Sequence, residues 1–309
     1  MPPASSDVRV ARLAVCLAAS LALAVVRPGT AAAQARDSSP PAQDSSQLAR
    51  AAKDSLLIAR MEQASGPDKV LHAEPLYIDL IRDLGARKGE AEWNVGLGLT
   101  DRTNYDNIEA LVEYEWAPID RLGIEIEVPV SLYSAFPGAT DVPPNRVESL
   151  KLGIQRTVHV SLERSTSLAV GYLHQFVLRE PVRLRPRDPL RGNVFNPFVV
   201  GAKRWGDNLH TLVYAGAQWR QQHGGGTEPT VFEWHSNVDY MLSGTRNFVG
   251  LEFNKYVQDG NFDMTVRPSM RLAIRDDMLM GFAVGIPVSR EKERLGMFLR
   301  LIYEPKSHR

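Results

Sequence analysis

The sequence predicts an all-β fold: an antiparallel transmembrane barrel of about 12 strands, preceded by a short amphipathic helix. Three observations predict it. From Glu92 onward, apolar and polar residues alternate with a period of two in about twelve runs of about ten residues. Strands of 9–11 residues tilted at about 45° cross a hydrocarbon layer. The connections alternate between tight turns and mostly longer loops, and the one long apolar stretch lies at the extreme N-terminus. A mean hydropathy of -0.22 with 23% charged residues excludes a polytopic helical membrane protein. The 36 basic residues balance 36 acidic ones among 309, which gives no general reason to expect a nucleic-acid partner. The single cysteine, Cys16, excludes a disulfide framework and a cysteine-based metal cluster.

Residues 1–33 read as a signal peptide. Arg9 and Arg12 form a basic region, Leu13 to Val26 an apolar one, and Ala31 to Ala33 supply small residues before a cut near Gln34. Val15 before Cys16 argues against a lipoprotein. The expected location is the outer membrane, reached through this cleaved leader. Residues 34–70 are rich in Ser, Asp, Pro, Gln and Ala, and read as a flexible linker or a weak helix. Ser46 can cap such a helix running toward Met61, with Leu48, Leu56 and Leu57 as a partial apolar stripe.

Residues 71–90 predict an amphipathic periplasmic helix. Pro75 suits a first helical turn and Gly85 a C-cap. Leu76, Tyr77, Leu80, Ile81 and Leu84 share one face, while Asp79–Arg82 and Asp83–Arg87 pair on the other. Two readings stand: a helix packed on whatever follows, or a periplasmic plug or lid that caps the opening. The cap would set Leu80 and Leu84 on inward apolar residues and carry Arg82 or Arg87 to lumenal glutamates.

The barrel occupies 91–309, with runs starting near 91, 107, 121, 147, 167, 194, 208, 230, 247, 263, 277 and 294. In the third run Leu122, Ile124, Ile126, Val128 and Val130 alternate with Gly123, Glu125, Glu127, Pro129 and Ser131. Tight connections at 118–120, 206–207, 243–245 and 275–277 contrast with longer ones at 134–145, 179–193 and 221–229. Single-chain barrels have short periplasmic turns and longer outer loops. The connection from Val160 to Thr166 looks long for the periplasmic side. A soluble sandwich or lipocalin-like barrel also alternates. Against it stand a Gly-rich polar face (Gly96, Gly98, Gly123, Gly153, Gly281) and aromatic residues toward strand ends (Trp93, Trp116, Trp205, Trp219, Tyr303), where interfacial girdles belong.

The stretch His72 to Asp101, HAEPLYIDLIRDLGARKGEAEWNVGLGLTD, resembles the opening of an uncharacterised family of bacterial outer-membrane β-barrel proteins. The strand pattern beyond it is similar to that of outer-membrane proteins grouped under the MetA pathway of phenol degradation. These resemblances imply fold and location, and bring neither a substrate nor catalytic residues.

Alternation assigns a set of charged side chains to the lumen. Glu109, Glu113, Glu115, Glu125 and Glu127 form one arc; Lys203, His210 and Arg220 follow, then Glu233, His235, Asp239 and Glu252, and finally Arg267, Arg271 and Arg300. They either set a transverse field in an open pore or bridge one another in a closed interior. The loop carrying Arg179, Arg183, Arg185, Arg187 and Arg191 is either a solvated loop or a contact for anionic headgroups or solutes. Trp234-His235-Ser236-Asn237 cannot hold a Ser–His dyad, because neighbours on a strand face opposite ways. No G-x-S-x-G, H-E-x-x-H or P-loop occurs, so no catalytic residue, metal site or cofactor is expected. The leading expectation is a narrow passive channel or transporter for small solutes or hydrophobic compounds, surrounded by outer-membrane lipid. The alternative is a closed structural or assembly barrel that docks periplasmic partners, and an outer-membrane hydrolase comes last.

Overall fold

The computed structural model describes residues 45–63, 66–179, 189–226 and 228–305, with side chains from residue 48 onward. The leader, the start of the linker, and Arg183, Arg185 and Arg187 of the basic loop lie outside the described residues. Among the described residues one helix, α1 (Ser45–Glu62), precedes the sheet. The strands are β1 (Ala91–Arg102), β2 (Tyr105–Ile119), β3 (Leu122–Ala135), β4 (Arg146–Val147), β5 (Ser149–Ser161), β6 (Thr166–Leu178) and β7 (Leu190–Trp205). They continue with β8 (Leu209–Gln222), β9 (Val231–Met241), β10 (Phe248–Gln258), β11 (Asn261–Arg275), β12 (Met278–Pro287) and β13 (Glu293–Tyr303). β4 and β5 are one stave interrupted at Glu148, since both pair with β3. Twelve staves therefore pair antiparallel with their chain neighbours, and β1 closes on β13 from Trp93↔Tyr303 to Arg102↔Glu293. Closure removes the free edges that an open sheet of this length would expose.

The alternation sorts the two faces as lipid and lumen require. On β3, Ile126 and Val128 point outward while Glu125 and Glu127 are buried inside. On β1, Val95, Leu97 and Leu99 face out and Asn94 is fully buried. The result is an apolar outer belt far larger than a water-soluble surface tolerates. Trp93, Trp205, Tyr240 and Tyr303 stand exposed at the end where β1 begins, and Trp219, Phe232 and Phe262 toward the other, in the manner of two interfacial girdles. The connection after Val160 is shorter than expected. β5 runs on to Ser161 and a four-residue turn through Leu162 and Ser165 (φ 49) leads into β6.

Residues 71–90 are not helical, which corrects the expectation drawn from their periodicity. A helix is the cheapest way to satisfy backbone groups when no other partner is near. Here lumenal side chains satisfy them directly. The amides of Leu76 and Tyr77 donate to the Glu252 carboxylate at 2.6 and 3.0 Å. The Gly85 amide donates to Thr157 Oγ1 at 2.9 Å, and the Arg82 carbonyl accepts from Gln155 at 2.5 Å. The helix lies earlier in the chain. α1 buries Asp54 and Ile58, with Ile58 against Met241 and Phe248, whereas Leu48 and Leu56 of the expected stripe are exposed. Asp54 accepts from the Gly244 amide at 2.5 Å and from Asn208 at 3.2 Å. These contacts lay α1 across the turns at the mouth where β1 begins.

The face assignment predicts a contrast between two substitutions. Ile126→Arg should cost about 2–4 kcal/mol, the range for a cation near the midplane on the lipid side, while Glu109→Gln, at the wall of an open cavity, should change stability little. Urea unfolding in detergent measures both, and equal costs would show the register to be inverted.

Candidate functional site

The segment from Gly66 to Glu90 threads the half of the lumen nearest the mouth where β1 begins, and its contacts reach around the wall. His72 Nε2 meets Ser167 Oγ at 2.9 Å, and the Ala73 amide donates to His210 Nδ1 at 3.0 Å. Glu74 pairs with Arg271 at 2.5 Å, and Asp79 with Lys151. Arg82 Nη1 lies 2.5 Å from Glu92 and 3.6 Å from Glu115. Between these polar ties, Ile78, Ile81 and Leu84 are buried against Leu173, Phe198, Val200, Leu212 and Tyr214. Leu76 packs on Ala283 and Phe298. Tyr77 sits edge-on to Phe298, with the Arg267 guanidinium 3.6 Å from its ring centroid. Each buried aliphatic side chain contributes about 1.5–3 kcal/mol, so this segment is a plug and not a loose arm.

Arg87 does not reach the lumenal glutamates as the cap reading allowed. It donates to the carbonyls of Met61, Glu62 and Pro67 at 3.2, 2.5 and 3.1 Å, closing the C-terminus of α1, where a cation is favoured. Glu62 in turn holds Arg204 at 2.7 Å and the Leu71 amide at 2.9 Å. Helix, plug and wall are thus tied at one corner.

Glycines on the inner wall make room for the plug. A Cβ on Gly281 would lie 2.2 Å from Leu76, one on Gly153 2.8 Å from Ile81, and one on Gly123 2.6 Å from Arg82. These are distances that only a missing side chain permits.

Beyond the plug, toward the longer loops, the lumen opens into a vestibule of about 670 Å³. Leu76, Tyr77 and Asp79 of the plug line it, together with Arg102, Glu109, Glu127, Arg146, Glu148, Lys151, Arg220, Glu228 and Arg300 of the wall and loops. Arg191, at the edge of the basic loop, lines it too. Asp79, Glu125 and Glu127 bring carboxylate oxygens within 4.8 Å of one another, close enough to share a metal ion. The Lys151 ammonium already sits among them, 3.0 Å from Glu127 and 3.5 Å from Glu125, and takes the place such an ion would occupy.

Most of the charges assigned to the lumen are found there. Glu113, Glu115, Glu125, Glu127, His210, Glu233, His235, Asp239, Glu252, Arg267 and Arg271 are buried inside, and Glu109, Arg220 and Arg300 line the vestibule. Lys203 is the exception. On β7 the even-numbered residues face inward, so Lys203 lies on the outer face, 4.6 Å from the Trp205 ring, and Arg204 points in. Alternation could not show this, because the inward face of β7 is itself apolar (Val194, Phe198, Val200, Ala202) where it meets the plug. Lys151 and Glu92 escaped the candidate set, although each alternates with apolar neighbours on its strand. Acidic side chains crowd β1–β3 and basic ones β11 and β13, and the plug answers each, with Arg82 toward the first arc and Glu74 toward the second.

Burial, with His210 and Arg204 close by, pushes His72 down to about 3. Burial raises the Asp83 carboxyl, but Lys69 and Arg82 outweigh it and hold it well below the usual carboxylate range. Released from the wall, His72 would titrate near 6.5. Its contribution to docking is therefore complete above about pH 6.5 and is lost as the pH falls toward 3, while Asp83 stays ionised over most of that window. Amide exchange across residues 72–85, corrected for intrinsic rates, should accelerate between pH 7 and pH 5, and His72→Gln should flatten the change. Equal protection at both pH values would remove His72 from the anchoring set.

The same architecture occurs in solved structures. The chain is similar to the COG4313 outer membrane channel from Pseudomonas putida F1, with a TM-score of 0.55 at 11% identity over 72% of this chain and 97% of that one. It is also similar to the NanC porin, with a TM-score of 0.50 at 11% identity over 69% and 98%. These likenesses show the fold, an outer-membrane-type β-barrel. No curated protein matches the chain. A family model does match, over residues 68–304, and its description spells His72 to Asp79, the core of the plug. The chain belongs to the HAEPLYID-like family.

Proposed function

We propose that this protein is an outer-membrane channel for small solutes, held shut from the periplasmic side by its own residues 66–90. The observation that carries this reading is the division of a single lumen. One half is filled by a segment with no regular secondary structure, and the other is an open vestibule of about 670 Å³ lined by charges of both signs. Short turns mark the periplasmic end of such barrels, and the plug enters at that end, so the vestibule faces outward. Between residues 72 and 85 side chains and not a strand ladder hold the plug's backbone. Ala86, Gly89 and Glu90 bond main chain to main chain with Arg121 and Ala117 of the wall, so residues 72–85 can leave the lumen with those bonds intact. Water can replace the side-chain partners at modest net cost. The charged lining favours polar solutes over hydrophobic compounds. The shared fold with a protein described as an outer membrane channel supports the reading. A barrel closed for a purely structural role has no use for a charged vestibule of this size.

Gly281→Val in the full chain tests it, since the new side chain needs the space of Leu76. In planar bilayers the wild type should give small, infrequent openings and the variant a several-fold larger conductance. Heat-modifiable gel migration reports whether the barrel has folded, and trypsin cleavage within 66–90 reports whether the plug has moved. A folded variant with a displaced plug and no conductance would contradict the channel.

A further inference from the structure

Arg82 is buried at the point where the wall is most acidic. Glu92 on β1 and Glu115 on β2 stand directly opposite each other in the sheet, and Glu115 stands opposite Glu125 on β3. Like charges in direct cross-strand register destabilise a sheet, and burial magnifies the penalty. All three carboxylates are buried. Arg82 places one guanidinium nitrogen 2.5 Å from Glu92 and 3.6 Å from Glu115, and its stem fills the notch left by Gly123. Glu125 is fully buried, yet neither of its carboxylate oxygens has a hydrogen-bond partner. The nearest ammonium, Lys151, stands 3.5 Å away and bonds to Asp79 and Glu127 instead. The wall therefore holds a built recess for a guanidinium with acceptor capacity left over.

We infer that Glu92 and Glu115, flanked by Glu125, form a recognition site for small organic cations bearing a guanidinium or primary ammonium group, and that Arg82 is its tethered occupant in the closed state. As to transport, this rests on the channel reading above. Withdrawing the plug removes Arg82 and Asp79 together, and leaves the five carboxylates of Glu92, Glu113, Glu115, Glu125 and Glu127 with Lys151, Arg300 and, near Glu92, Arg271 as wall cations among the described residues. A narrow passage ringed by such an excess of carboxylates selects cations. The plug closes the pore by presenting the same group that the open pore would bind.

Chemical rescue tests the site without relying on conduction. Arg82→Ala in the full chain should raise amide exchange across residues 76–85 several-fold. Millimolar guanidinium or methylguanidinium chloride should restore protection, potassium chloride at equal ionic strength should not, and adding Glu92→Gln and Glu115→Gln should abolish the rescue. Rescue no greater than that by potassium chloride would overturn the site. In bilayers, the Gly281→Val chain should give reversal potentials of a cation-selective pore in which guanidinium carries current, with selectivity reduced by the same two glutamine substitutions. A conducting but anion-selective pore would overturn the inference and leave the channel reading standing. A folded, plug-displaced barrel that does not conduct would contradict the channel reading, and the rescue result would still decide the site.

Discussion

Closing a sheet into a barrel turns one face to lipid and the other onto itself, and the inner face of this chain is densely charged. A buried charge without a counter-charge costs several kcal/mol. Residues 66–90 resolve this by crossing the lumen with a charge order that matches the wall. Glu74 goes to the basic β11, Asp79 to Lys151 on β5, and Arg82 to the glutamates of β1 and β2. The hydrophobic side chains between them pack where the wall is apolar or bare of side chains, as at Val200, Leu212, Gly153 and Gly281. Plug and wall thus depend on each other, and so do the notches, the burial of α1 residues and the remaining vestibule.

Dependence on a plug differs from dependence on a strand. Removing a stave would break two ladders, whereas moving residues 72–85 exchanges side-chain hydrogen bonds and about a half-dozen buried aliphatic contacts for water and solute. The main-chain bonds of Ala86, Gly89 and Glu90 to Arg121 and Ala117 can stay in place. That difference makes a movable closure physically reasonable inside a barrel that stays folded. It also explains why the anchoring at α1 matters. Arg87 and Glu62 tether the near end of the plug to the mouth, so the segment can withdraw from the lumen and still remain beside it.

How much of this was legible in the sequence follows from what each face touches. Strands with lipid outside and charges inside, such as β1, β2 and β3, were readable in register because the two environments demand opposite chemistry. β7 was not. Its inward Val194, Phe198, Val200 and Ala202 meet apolar plug residues, both faces read alike, and Lys203 was assigned the lumenal position that Arg204 holds. The heptad-like spacing of Leu76, Leu80, Ile81 and Leu84 described one apolar face correctly as something to be buried, but it implied a helix. The hydroxyl of Thr157 accepts the Gly85 amide, which a helix would have bonded to Ile81, and the carboxylate of Glu252 ties the Leu76 and Tyr77 amides to the wall. Such partners lie far away in sequence. The inner glycines were visible as a barrel feature, while their use as notches for Leu76, Ile81 and Arg82 required the plug to be in place.

On the proposed mechanism the plug must move for solute to pass, and a reversible lock tests that most directly. Leu76 Cγ lies 3.1 Å from where a Cβ on Gly281 would sit, which puts a Leu76→Cys, Gly281→Cys pair within disulfide reach. Cys16 is the chain's one native cysteine, so Cys16→Ser leaves the introduced pair alone. Single-channel recordings at pH 5 should show no openings from the oxidised protein, and openings of wild-type size after reductant is added. Equal conductance before and after reduction would contradict the account.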